Sequence, residues 1–126
     1  MTIAFWCVLV AVLLPYTGAL AAKLGGRMAP GANHAPREWL AKLNGWPQRA
    51  NWFQQNSFEV LPGFAAAVIV ATLAHGNAAR IDQLALAFIA LRLVYLVCYV
   101  ADWATARSLV WTGGMVCVVW LFLLGA

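Results

Sequence analysis

Four long apolar runs alternate with short polar connections along the chain. They cover about residues 2–22, 52–75, 83–101 and 108–125. Each approaches the roughly 20 residues that a helix needs to cross the hydrocarbon core of a bilayer. With their polar first turns included, the predicted helices span 2–22, 49–75, 81–101 and 106–125. The pattern predicts one all-α domain over residues 1–126, a membrane-embedded up-and-down four-helix bundle.

The first run ends in Gly18-Ala19-Leu20-Ala21-Ala22, which resembles a small-residue cleavage site. No basic residue precedes it and its apolar stretch is long for a signal peptide, so it is read as a retained helix. Pro15 is expected to kink it. The segment 23–48 is the one long connection, and Gly25-Gly26, Pro30-Gly31, Pro36 and Gly45 mark its turns. Pro36 through Leu43 predicts a short amphipathic helix at the membrane surface.

Composition agrees with this reading. The chain is 64% hydrophobic and 10% charged, against roughly half and a quarter for a soluble domain. At this length no ordinary interior hides such an excess. The net charge of +4 raises nucleic acid as a partner. Five of the eight basic residues, however, lie in or beside 23–48: Lys23, Arg27, Arg37, Lys42 and Arg49. That is the pattern of a cytoplasmic loop, with both termini on the other side, and no basic stripe interleaved with aromatics is present. Cys7, Cys98 and Cys117 are far apart within apolar runs and suit packing, not a disulfide or metal site.

The informative residues are polar ones inside apolar runs, where ionisable groups are costly. Arg49, Trp52, Asn56 and Glu59 share one helical face. Arg92, Tyr95, Tyr99 and Asp102 share another on the third membrane helix. Glu59 lies about 15 Å along its helix from Arg49, and Arg92 about 14 Å from the end of its own. The two are therefore expected at one depth, paired directly or through one intervening group. Arg107 and Ser108 begin the last helix on the same side, with Trp111 one turn on. The three helices predict a cationic polar pocket open to the cytoplasm, suited to a small anionic ligand that meets a lipophilic molecule arriving through lipid. A purely structural reading stands beside it: Asn, Gln, Glu and Arg as interhelical hydrogen-bonding groups, and Arg49, Tyr99 and Arg107 as interface anchors. His34 reads as a solvated loop residue and His75 as an interfacial one.

The segments Asn33-His34-Ala35-Pro36-Arg37-Glu38, Leu43-Asn44-Gly45, Arg49-Ala50 and Asn56-Ser57-Phe58-Glu59-Val60-Leu61-Pro62-Gly63-Phe64 resemble the family of membrane-associated proteins in eicosanoid and glutathione metabolism (MAPEG). The similarity is greatest to its small bacterial members. Arg92 through Tyr99, followed by Arg107-Ser108, is a second matching block. The resemblance implies a left-handed four-helix bundle, assembled as a homotrimer in a bacterial inner membrane. It implies glutathione as co-substrate, bound between subunits near the cytoplasmic side. Asn56 and Glu59 would hold its amino end, Arg49 would stand near the mouth, and Arg92 would support Glu59. Tyr95 and Tyr99 would line the site, Arg107 would face the sulfur and Ser108 would be an auxiliary donor. Gln55 and Trp111 depart from the family pattern, which carries a basic residue and a tyrosine there in several enzymes.

The implied function is a glutathione-dependent transferase or peroxidase acting on a lipophilic electrophile. A non-catalytic bundle of the same fold, binding a lipid or a partner protein, is the alternative. A small proton-coupled exporter also has four helices and a buried Glu, but its essential acid lies in the first helix, where this chain has none.

Overall fold

The computed structural model describes residues 1–126. Its helices are α1 (Ile3–Gly25), α2 (Pro36–Ala41), α3 (Gly45–Leu73), α4 (Ala78–Val100) and α5 (Ala104–Leu124), with a 3₁₀ turn at Pro30–His34 and no strands. All but α2 are long and apolar enough to cross a membrane. They alternate in direction. Gly25, Trp46, Arg49 and Val100 meet at one end of the bundle, called the loop end, and Ala4, Asp82, Gly76 and Leu124 at the far end.

The helix limits depart from the expected ones for local reasons. α3 starts at Gly45, four residues before Arg49, because Pro47 falls in its first turn. A first-turn residue has no intrahelical use for its N–H, so proline costs nothing there. α4 starts at Ala78 because the Asn77 side chain accepts a hydrogen bond from the Arg80 backbone N–H at 3.0 Å. α1, α3 and α4 leave by one device. Arg27, His75 and Asp102 take φ of 54°, 57° and 62°, and the next residue donates back to Lys23, Ala71 and Cys98. These are Schellman ends with no glycine at the left-handed position.

Packing is dense in the far half. Phe64 and Phe88 stack with ring centroids 4.0 Å apart, walled by Ala4, Ala67, Ala71 and Ala85. Such small side chains let membrane helices approach closely. Nearer the loop end, a Cβ on Gly18 would stand 2.8 Å from the Phe53 ring and 2.9 Å from the Ala50 carbonyl, so only glycine permits this α1–α3 contact. Leu40 of α2 is buried against Ala22 and Ala50, which seats the short helix on the bundle. On its open side Lys42 pairs with Glu38 at 2.7 Å, and that hydrogen bond holds the Glu38 carboxyl below the usual carboxylate range. Cys7, Cys98 and Cys117 are free and buried.

Large apolar side chains face outward all round the bundle, among them Trp6, Leu13, Leu20, Leu93, Val97, Leu109 and Leu123. An exposed apolar girdle on four membrane-length helices makes this an integral, multi-pass membrane protein in a lipid bilayer.

Candidate functional site

The polar site lies in the loop half, where the first half of α3 meets the end of α4 and the start of α5. Arg92 is its deepest member, only 4% exposed. Its Nη1 donates to Asn56 Oδ1 at 3.1 Å and its Nη2 to Ser57 Oγ at 2.8 Å. Asn56 Nδ2 then donates to Glu59 Oε2 at 3.2 Å. Glu59 and Arg92 are thus joined through one intervening group, the Asn56 amide, which presents its oxygen to the cation and its NH₂ to the carboxylate. The guanidinium carbon also lies 4.2 Å from the Tyr95 ring centroid and 5.4 Å from that of Phe53. Aromatic faces supply the rest of its solvation.

Ser57 was absent from the expected site. It points about 100° from Asn56 on the helix, toward the core, so face-matching with Arg49, Trp52 and Glu59 passes over it. The signal was a lone hydroxyl on the face of α3 that also carries Phe53 and Phe64, and it is buried. Glu59 is expected at the depth of Arg92 and paired with it. In the single chain it is exposed, with Asn56 its one hydrogen-bond partner. A carboxylate bare to lipid is costly.

Arg49, expected near the mouth, is held at the loop end. Its Nε and Nη2 donate to the Val100 carbonyl at 3.2 and 3.0 Å. The last carbonyls of a helix lack intrahelical donors, and a cation there also complements the helix dipole. Arg49 therefore closes the end of α4 and is not among the side chains that line the cleft.

That cleft, of about 500 Å³, is lined by Asn56, Tyr95, Tyr99, Arg107, Ser108, Trp111 and Thr112. Tyr95 and Tyr99 meet edge to face at 5.3 Å. The Arg107 guanidinium lies over Tyr99, 4.6 Å from the ring centroid. Lys42–Glu38 is the only ion pair in the chain, so Arg107 has no acidic partner. It occupies the first turn of α5, whose N-cap, Trp103, supplies no side-chain hydrogen bond. Open backbone N–H groups and the guanidinium therefore add their positive potential on one wall. Ser108 gives its proton to the Ala104 carbonyl at 3.2 Å, and Thr112 gives its own to the Ser108 backbone carbonyl at 2.9 Å. Both hydroxyls still have lone pairs for a donor in the cleft.

A second cavity, about 370 Å³, opens on the other side of α3 between Arg37, Leu40, Asn51, Gln54, Gln55 and Phe58. The Gln54 Oε1 is buried there without a hydrogen-bond partner. Arg37 and Gln54 were not among the expected site residues. Only the fold of the connection brings α2 onto α3.

No group of three or more His, Cys, Asp or Glu side chains is placed to hold a metal ion. The cleft can do anion chemistry instead. It has one free cation, a positive helix start, two phenols, and a carboxylate–amide pair at its edge. The geometry fits a molecule that places an anionic group beside Arg107. No curated protein and no solved structure matches the chain. The family model described as the MAPEG family matches residues 3–126, nearly the whole sequence. The chain belongs to the MAPEG family.

Proposed function

We propose that this protein is a membrane-bound, glutathione-dependent transferase or peroxidase that activates a thiol at its loop end, on the cytoplasmic side. The observation that carries this reading is Arg107. It is a cation with no acidic partner, held over Tyr99 on the wall of a cleft of about 500 Å³. Pockets for small molecules typically measure about 300–1,000 Å³.

Glutathione would enter as a co-substrate, with its sulfur at Arg107 and its amino end at the Asn56–Glu59 edge. A free thiol has a pKa of about 8.5, and a neighbouring cation favours the anion. Arg107 remains protonated throughout, so it stabilises the thiolate without taking up the proton, which leaves to water. The thiolate then forms a carbon–sulfur bond to an electrophile dissolved in lipid: either it displaces a leaving group, which departs with the electron pair of its broken bond, or it opens an epoxide whose oxygen takes a proton from water. Alternatively, two thiols reduce a hydroperoxide to an alcohol and water and end as a disulfide. The resemblance adds a homotrimer, and exposed Glu59 supports it: a neighbouring copy, or the ligand, would take that carboxylate out of lipid.

A non-catalytic bundle that binds a lipid or partner protein is the second reading. It is favoured by one feature, the Ser57–Arg92–Asn56–Glu59 chain, which is complete without a ligand. Adding glutathione to detergent-solubilised protein separates the two. A saturable ultraviolet thiolate absorbance supports the enzyme. Its absence from a folded oligomer supports the binding protein.

A further inference from the structure

Seven of the eight Lys and Arg residues are accounted for at the loop end or in the polar site. Arg80 is the exception. It lies in the first turn of α4, at the far end, and is exposed. Basic residues are ordinarily sparse on that side of a membrane protein. Arg80 has no acidic partner, since the only ion pair is Lys42–Glu38. The nearby Asp82 is turned to α1, where its Oδ1 accepts a hydrogen bond from the Ala4 backbone N–H at 2.8 Å.

Arg80 stands at the mouth of a cleft of about 280 Å³, with Gln83, Leu84, Ala87 and Trp120. Trp120 is also a wall of a second groove of about 300 Å³, which runs down α5 past Val119, Val116 and Met115. One indole therefore borders both. Taken together across that indole, they make a slot with a cation and an amide at the top and apolar side chains below. Arg80 to Ala87 is seven residues, a descent of about 10 Å. That exceeds the roughly 5–8 Å of interfacial layer in each leaflet, so the slot passes from headgroup level into hydrocarbon.

We propose that this slot binds one anionic phospholipid of the non-cytoplasmic leaflet. Its phosphate sits on the Arg80 guanidinium, its polar headgroup is met by the Gln83 amide, and one acyl chain lies along Trp120, Val116 and Met115. Arginine suits phosphate because its planar fork gives two parallel hydrogen bonds. A zwitterionic lipid brings its own cation to the same place and gains less.

The test is native mass spectrometry of the delipidated protein in detergent, offered equal amounts of phosphatidylglycerol and phosphatidylcholine with identical chains. The wild type should retain phosphatidylglycerol about fivefold more, the ratio expected for one surface cation. Arg80→Ala should bring the ratio to parity with an unchanged melting temperature, and Arg80→Lys should keep most of the preference. Trp120→Ala should weaken both lipids and leave the ratio alone. Equal retention by the wild type, or a preference that survives Arg80→Ala, overturns the proposal. So does displacement of the lipid by excess inorganic phosphate, which would mark a free-anion site. Disulfide bonding between two copies of Trp120→Cys would show a second chain in the groove, and would overturn it as well.

Discussion

Arg92 reaches Glu59 through Asn56, by hydrogen bonds of 3.1 and 3.2 Å that use opposite ends of one amide. A charge buried in the bundle is thereby tied to a carboxylate at the cleft edge. The amide cannot flip without setting its NH₂ against the guanidinium and its oxygen against the carboxylate.

Replacing Asn56 with leucine should therefore strand both ends. Arg92 keeps Ser57, but one of its buried donors loses its acceptor, at a cost of about 1–3 kcal/mol. Thermal unfolding in detergent should show the loss. Glutathione binding should fall as well, because Glu59 is no longer oriented. A variant of wild-type stability would mean that the amide bridge is not a structural tie.

Glu59→Gln keeps the shape and removes the charge. It should weaken glutathione binding with little change in melting temperature, because Glu59 is exposed in the single chain. Loss of fold with unaltered residual binding would make Glu59 a structural group instead.

Arg49→Ala separates the two roles of the loop-end arginines. It removes both donors to the Val100 carbonyl, so α4 should fray and stability should fall by about 1 kcal/mol, typical of a lost cap. The thiolate signal of the protein that stays folded should persist. If that signal vanishes while the melting temperature holds, Arg49 belongs to the ligand site.

Two glycines test the packing. Gly18→Ala places a methyl 2.8 Å from the Phe53 ring and 2.9 Å from the Ala50 carbonyl, and crowding of this kind costs about 1–3 kcal/mol. At Gly63 a Cβ meets nothing within 4 Å, so Gly63→Ala should be neutral or stabilising. Equal melting temperatures for the two variants would contradict the α1–α3 contact.

Much of this was legible in the sequence because lipid imposes simple rules. Four apolar runs of spanning length admit few architectures, and ionisable residues inside them stand out against their neighbours. Counting helical rise from either end brought Glu59 and Arg92 to one depth without coordinates. Other features depended on contacts that no periodicity encodes. Arg49 shares a face with Asn56, yet the nearby end of α4 offers it a carbonyl, and that contact takes it from the cleft. Ser57 lies off the face that was traced. Gln54 and Arg37 share a cavity only because Leu40 seats α2 against α1 and α3. Helix limits slipped wherever a first-turn proline, an Asn cap or a left-handed residue set the end.

The central claim is that Arg107 makes this cleft a place where a thiol loses its proton. The most direct measurement is the pH at which glutathione ionises when bound to the protein, followed by thiolate absorbance, in the wild type and in Arg107→Ala. The wild type should ionise the bound thiol well below the free value of about 8.5. Arg107→Ala, with its oligomer intact, should return it toward that value. A bound thiol that ionises at the same pH as free glutathione, or a lowered value that survives Arg107→Ala, would contradict the account.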